Sequence, residues 1–206
     1  MDKQDTFYSD NESNAFFDRW LDSVADTHPV QLRSSKNEIL KQLLKVKKLE
    51  NLHVLEIGCF ISDLLCHLKN NYECDVYGIE SSSKACDYAK KYYSLDIENS
   101  TFAKSELFNL NDNNQNSFDL IICDDVLSWM SRDLILSSLG GIDWMLKPGG
   151  SIFIRDFSPT FGFAFENHHH AGKNIYNFKQ PGGHREFFLK TGKYLEISTY
   201  IRDDAK

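Results

Sequence analysis

Residues Val54–Leu65, VLEIGCFISDLL, decide the fold. Val54–Ile57 is a short apolar run, Gly58 ends it, and from Ser62 the stretch SDLLCHLKNN repeats its leucines at helical spacing. Strand, glycine turn and helix in immediate succession form the nucleotide-binding unit of parallel α/β sheets. Such a loop usually carries further glycines two and four residues after the first, but here those places hold Phe60 and Ser62. Read as G-x-G-x-x-G, the stretch retains one glycine of three, which counts against a dinucleotide pyrophosphate.

Outward from this unit the alternation continues. DVYGIE (75–80), FDLIICDD (118–125) and GSIFIRDF (150–157) read as strands, with a weaker one near IENSTFA (97–103). Between them SSKACDYAKKYY (82–93) and SRDLILSSLGGIDWML (131–146) read as helices. Near-continuous apolar strands separated by helices bury both faces of a parallel sheet. The expected fold class is therefore α/β, a Rossmann-like doubly wound, mostly parallel sheet with helices on both faces.

The flanks read differently. The first dozen residues are polar and expected to be loose, followed by helices over NAFFDRWLDSVA (14–25) and SSKNEILKQLLKVKKL (34–49), the latter capped by Ser34 or Ser35. After Phe157, a stretch rich in aromatic residues, Gly, Asn and His has neither periodicity and is too long for an ordinary connection. Its QPGGH (180–184) reads as a hinge or tight turn. A short helix over HREFFLKTG (184–192) and a strand over YLEISTYIR (194–202) are expected to bring the chain back to the sheet. The division expected for residues 1–206 is one domain: a helical cap over 1–50, a cofactor-binding core over 51–157, and a lid with a final helix and strand over 158–206.

Composition narrows the function. The 206 residues include 41% hydrophobic and 13% aromatic residues, enough for one sizeable core. A formal net charge of −7 disfavours nucleic acid and anionic membranes as partners and favours a small-molecule acceptor. The five cysteines form no C-x-x-C pair, so neither a disulfide framework nor a zinc site is expected. With no apolar stretch near the roughly 18 residues of a membrane span, the expected location is cytoplasmic.

In an open parallel sheet, ligands bind beyond the carboxyl ends of the strands. The loop after the first strand holds Gly58, and the second strand ends at Glu80, 22 residues later, the spacing of a ribose-binding acid. Four segments in order, VLEIGC, VYGIESSSKACDYAKKYY, FDLIICDDVLSWM and MLKPGGSIFIRDF, resemble the class I S-adenosylmethionine-dependent methyltransferases. The resemblance implies S-adenosyl-L-methionine as cofactor. It places Glu56 beside the methionine part, passes the backbone of Gly58, Cys59 and Phe60 under it, and assigns Glu80 and Ser81 to the ribose. Asp124, Asp125 and Val126 would line the pocket near the methyl group and adenosine, Phe102 and Ala103 the adenine, and Arg33 would meet the cofactor's carboxylate. Because this cofactor has no pyrophosphate, the tightest backbone approach needs only Gly58, and Ser62 is free to cap the following helix.

The bland readings are specific. Glu80 alone would cap the helix beginning at Ser82, and Asp124 and Asp125 would be a solvated strand end. His168, His169, His170 and His184 fall in the region expected to cover the strand ends, and His169 and His184 are the candidate bases for a hydroxyl acceptor. No metal site is expected, since adjacent histidines rarely face one ion. The expected reaction is methylation, at oxygen, of a small metabolite or sugar-like acceptor. Alternatives are a non-catalytic methyltransferase-fold binding protein with a degenerate loop, and an NAD-dependent reductase, which lacks both the glycines and a Tyr-x-x-x-Lys pair.

Overall fold

The computed structural model describes residues 3–24, 29–108, 115–166, 170 and 172–201. Its centre is a five-stranded parallel sheet in the order β3-β2-β1-β4-β5. The strands are β1 (His53–Ile57), β2 (Asp75–Glu80), β3 (Glu98–Asn99), β4 (Phe118–Asp124) and β5 (Leu146–Arg155). Val54 pairs with Val76 on one side and Leu120 on the other, so β1 is central and the chain order reverses between β1 and β4.

Strand alternation explains why the sheet is covered twice. Val54, Leu120 and Ile122 face one side, against Ile39, Leu40 and Leu43 of α3 (Ser34–Val46) and Leu64, Leu65 and Leu68 of α4 (Asp63–Tyr72). Leu55, Ile57 and Ile121 face the other, against Leu139, Ile142 and Met145 of α6 (Arg132–Met145). The helix α5 (Ser83–Tyr93) meets α2 (Ser13–Ser23) through a third cluster of Phe17, Phe60, Ile61, Ala85 and Tyr88. The doubly wound expectation holds. The weak strand near IENSTFA shrinks to the two residues of β3, and LKPGG is a bulge inside β5, where Phe118 pairs with Leu146 but Leu120 with Ser151.

Three expectations at the flanks are corrected. The polar N-terminus is ordered: α1 (Lys3–Phe7) runs through a π turn at Tyr8–Glu12 into α2. Its polar side chains serve backbone groups far along the chain. The Gln4 amide donates to the carbonyls of Tyr176 (2.7 Å) and Trp129 (3.2 Å) and accepts from Tyr176 N–H (3.1 Å). Asp5 accepts from the Ser131 hydroxyl (2.8 Å) at the start of α6. The lid is not irregular throughout, since β6 (Phe163–Glu166) and β7 (Tyr176–Lys179) form an antiparallel hairpin. The expected strand over 194–202 has no regular structure where it is described; Leu195 is 90% and Ile201 80% exposed, and Arg185 ties the segment to α7 (Arg185–Lys190) through Glu196 (2.9 Å) and Thr199 (2.8 Å). Residue 202 lies outside the described residues. In QPGGH, Gly182 (φ +76°) and Gly183 (φ +63°) supply the turn as expected.

Candidate active site

The loop after β1 answers the question its glycines raise. Gly58, Phe60 and Ser62 have φ of +71°, +52° and +63°, so the backbone keeps the glycine-loop conformation at all three places. The N–H groups of Gly58 (2.8 Å) and Cys59 (3.2 Å) both donate to Ile79 O, and Glu80 receives Phe60 N–H at 2.8 Å. Glu80 also accepts from Ser82 N–H (2.7 Å) and the Ser81 hydroxyl (3.3 Å). One carboxylate therefore joins the loop to the start of α5, whose N-cap is Ser82, its hydroxyl accepting from Ala85 N–H. Burial raises its pKa, and those N–H donors pull it partly back.

Ser62 does not cap α4: its hydroxyl, fully buried, reaches Cys59 Sγ at 3.2 Å instead. Nor does Ser34 or Ser35 cap α3, whose N-cap is Arg33 without a side-chain bond. Phe60 turns its ring onto Phe16, Phe17 and Trp20 of α2 (centroids 5.2, 6.0 and 5.2 Å), and the Arg33 guanidinium sits 5.0 Å over it. Arg33 also pairs with Asp63 at 2.6 Å, so its charge already has an internal partner.

At the carboxyl ends of β1 and β4 lies a group the sequence reading passed over. Lys36 Nζ, on α3, is 2.6 Å from Glu56 Oε1 and 2.6 Å from Asp124 Oδ2, its side chain 5% exposed. Arg155 adds a pair to Asp124 at 2.6 Å. Glu56 is completely buried and its Oε2 has no donor among the described residues. Burial pushes the Glu56 carboxyl up to about 7 even against Lys36, and for Lys36 the two carboxylates outweigh the effect of burial and raise its pKa. The signal was present in α3: Lys36 precedes Ile39, Leu40 and Leu43 at i+3, i+4 and i+7, a charge on the apolar stripe.

The other expected residues are dispersed around this centre. Val126 fills the space beside Gly58, whose added Cβ would lie 2.9 Å from Val126 Cγ2. Asp125 has φ +52° and is an exposed residue, and partial burial of its carboxyl, then Asp156 and Asp124, raises that carboxyl to about 6. Phe102 packs into the core cluster that includes α6, and Ala103 follows it half-buried. Cys59 is fully buried.

Of the two candidate bases, His169 lies outside the described residues, as does His168. His170 is buried between Phe7 (4.8 Å) and Glu12 (3.3 Å). His184 is different: its Nδ1 is 2.5 Å from Asp156 Oδ2, both side chains are more than nine-tenths buried, and no partner for Nε2 is found among the described residues. A carboxylate on Nδ1 fixes the tautomer that leaves Nε2 as a proton acceptor. His184 lines a cavity of about 180 Å³ with Leu127, Met130, Arg132, Ile135 and Phe178. Asp156 follows β5 directly, and Asp124 pairs with Arg155 in the sheet, so this cavity flanks the strand ends that carry Glu56 and Asp124. Asp156 was missed although it stands in a loop following a strand, the place where such groups are to be sought.

Residues 48–194 match a methyltransferase domain family. The chain belongs to that family. A curated protein of Rickettsia prowazekii (strain Madrid E) is 29% identical over 121 residues, 58% of this chain and 48% of that protein, so the chain spans about half the length of its relative. Among solved structures, 1,6-didemethyltoxoflavin-N1-methyltransferase of Burkholderia thailandensis, with bound 1,6-didemethyltoxoflavin and S-adenosylhomocysteine, is 13% identical with a TM-score of 0.60, covering 92% of this chain and 78% of that one. Magnesium protoporphyrin IX methyltransferase of Synechocystis with bound S-adenosylhomocysteine is 20% identical with a TM-score of 0.53, over 70% of this chain and 68% of that one. These likenesses establish that the methyltransferase domain has the fold of those enzymes. Among the described residues no helix is long and apolar enough to cross a membrane.

Proposed function

We propose that this methyltransferase domain binds S-adenosyl-L-methionine across the carboxyl ends of β1, β2 and β4. It methylates a hydroxyl oxygen of a small metabolite or sugar-like acceptor held in the cavity beside His184. The buried Oε2 of Glu56 fits the cofactor, because a carboxylate oxygen shut away from water needs an N–H or O–H partner, and none is found among the described residues. Glu56 would face the amino-acid part, Glu80 and Ser81 the ribose, and the backbone of Gly58–Phe60 would lie under both. When bound, the cofactor supplies a methyl group activated by its sulfonium.

The chain's own work is alignment and proton removal. The cavity holds the acceptor beside the strand ends, between the apolar side chains of Leu127, Met130, Ile135 and Phe178 and the charged one of Arg132. His184 Nε2 takes the acceptor's proton, and Asp156 holds the ring and stabilises its charged form. The single observation that carries an oxygen acceptor is this histidine–carboxylate pair facing a cavity. The net charge of −7 supports a small acceptor over a nucleic acid. Titration calorimetry with S-adenosylhomocysteine tests the reading: saturable heat at one site supports it, and no heat with no thermal stabilisation at millimolar ligand favours a methyltransferase-fold protein that lacks the activity.

A further inference from the structure

We propose that Lys36 is a positioning residue for the cofactor, holding Glu56 as a carboxylate so that its free Oε2 accepts a hydrogen bond from the ammonium group of S-adenosylmethionine. This deepens the methyltransferase reading and rests on it.

The geometry is asymmetric. Glu56 Oε1 is taken by Lys36 Nζ at 2.6 Å, Oε2 by nothing among the described residues, and the side chain is wholly excluded from water. A lone carboxyl there would take up a proton, and a neutral carboxyl is a far poorer acceptor for an ammonium. The charged and titratable groups around it come from every neighbouring element: Lys36 on α3 and Arg33 just before it, Asp63 on α4, Cys59 after β1, Asp124 and Cys123 on β4, with Arg155 of β5 behind Asp124. Asp124 and Asp63 both disfavour charge on Glu56. Arg33 is bound to Asp63 and Arg155 to Asp124, which leaves Lys36 as the cation in contact with Glu56. Asp124 takes the same ammonium at 2.6 Å, so Lys36 is pinned from two strands and cannot follow a ligand outward. Lys36 thus holds the charge on Glu56 without occupying the oxygen that a ligand would use.

The test is S-adenosylhomocysteine affinity measured by calorimetry from pH 6 to 8.5, with folding checked by circular dichroism at each pH. In the unaltered protein, affinity should fall roughly tenfold from pH 8 to pH 6, as Glu56, which titrates near 7, takes up its proton. Lys36→Met should shift that fall to higher pH and leave affinity low throughout the range, while Lys36→Arg restores much of the original profile. Glu56→Gln, close to isosteric, should bind weakly and without pH dependence, which keeps the proposal falsifiable if Lys36→Met fails to fold. A lysine that only props up the fold would weaken binding equally at every pH, and an unmoved midpoint in Lys36→Met overturns the proposal. So does binding in the unaltered protein that is flat with pH, which leaves the methyltransferase reading intact; no binding at any pH overturns both.

Discussion

Gly58→Ala should destabilise the domain by about 2–5 kcal/mol, the sum of roughly 1–2 for a side chain at left-handed φ and roughly 1–3 for a methyl forced into filled space. The first contribution follows from φ +71°. The second follows from Val126, whose Cγ2 and Cβ would lie 2.9 and 3.2 Å from the new Cβ, closer than such atoms ordinarily approach. For a chain of this size the loss corresponds to a fall in Tm on the order of 10 °C. Urea denaturation of Gly58→Ala, Val126→Ala and the double variant separates the two contributions. Truncating Val126 costs its own packing but removes Cγ2, the nearer of the two atoms, so the double variant should recover about 1–3 kcal/mol relative to the sum of the single losses, leaving the backbone strain and the lost Val126 packing. If the two losses simply add to within about 0.5 kcal/mol, the contact between Gly58 and Val126 has no energetic weight and the close approach inferred for this loop is wrong.

His184→Ala should lower kcat by about 10²–10⁴-fold while leaving S-adenosylhomocysteine affinity within error, and Asp156→Asn should follow it in direction with a smaller loss, since it misaligns the ring rather than removing it; unchanged turnover in both would remove the base. Asp125→Asn should raise Tm at pH 8 and not at pH 4. A carboxyl raised to about 6 in the fold favours folding fully below its unfolded value near 4 and loses that contribution as pH rises through 6, whereas Asn loses nothing. Thermal melts across this range that show an equal shift at both pH values would contradict it. Gln4→Ala removes three hydrogen bonds to the backbone at Tyr176 and Trp129, so the Tyr176 amide should exchange faster with deuterium while amides of β4 hold their rates; equal acceleration in both would mean that the N-terminal helix supports the whole fold rather than the lid.

The sheet and its two helical layers were legible because burial on both faces writes itself into a strand as a continuous apolar run, and VLEI and LIIC carry that signature, while IFI on the edge strand β5 is apolar but only half-buried. The N-terminal helix was misread for the converse reason. Gln4 and Asp5 look like solvated residues, and nothing local announces that the groups they satisfy, backbone and hydroxyl, belong to Trp129, Ser131 and Tyr176. The segment from 194 was misread because alternating apolar residues describe a strand only when another strand lies beside it, and among the described residues none does. At the site, Glu80 was picked out by its spacing from Gly58 at a strand end, and Glu56 and Asp124 through the resemblance of their segments to the family's motifs. Their partners come from a helix before the sheet and a loop after it, so no fixed spacing joins Lys36 to Asp124 or Asp156 to His184.

The glycine pattern was the weakest guide, and the energies explain why. What the loop requires is a backbone geometry, and glycine is only the cheapest way to reach it. At position 60 the left-handed conformation costs about 1–2 kcal/mol, but burying a phenylalanine ring recovers about 1.5–3 kcal/mol, and Phe60 is 8% exposed against Phe16, Phe17 and Trp20. The two nearly cancel, so a cap helix that offers an aromatic surface makes the second glycine dispensable. Ser62 has no such compensation: it is fully buried, its hydroxyl reaches only a thiol, and its φ remains +63°. A loop free to relax would shed that strain. That it persists, with Glu80 clasping Phe60 N–H from the next strand, means that the surrounding contacts hold the loop in this shape even where its residues are not glycine.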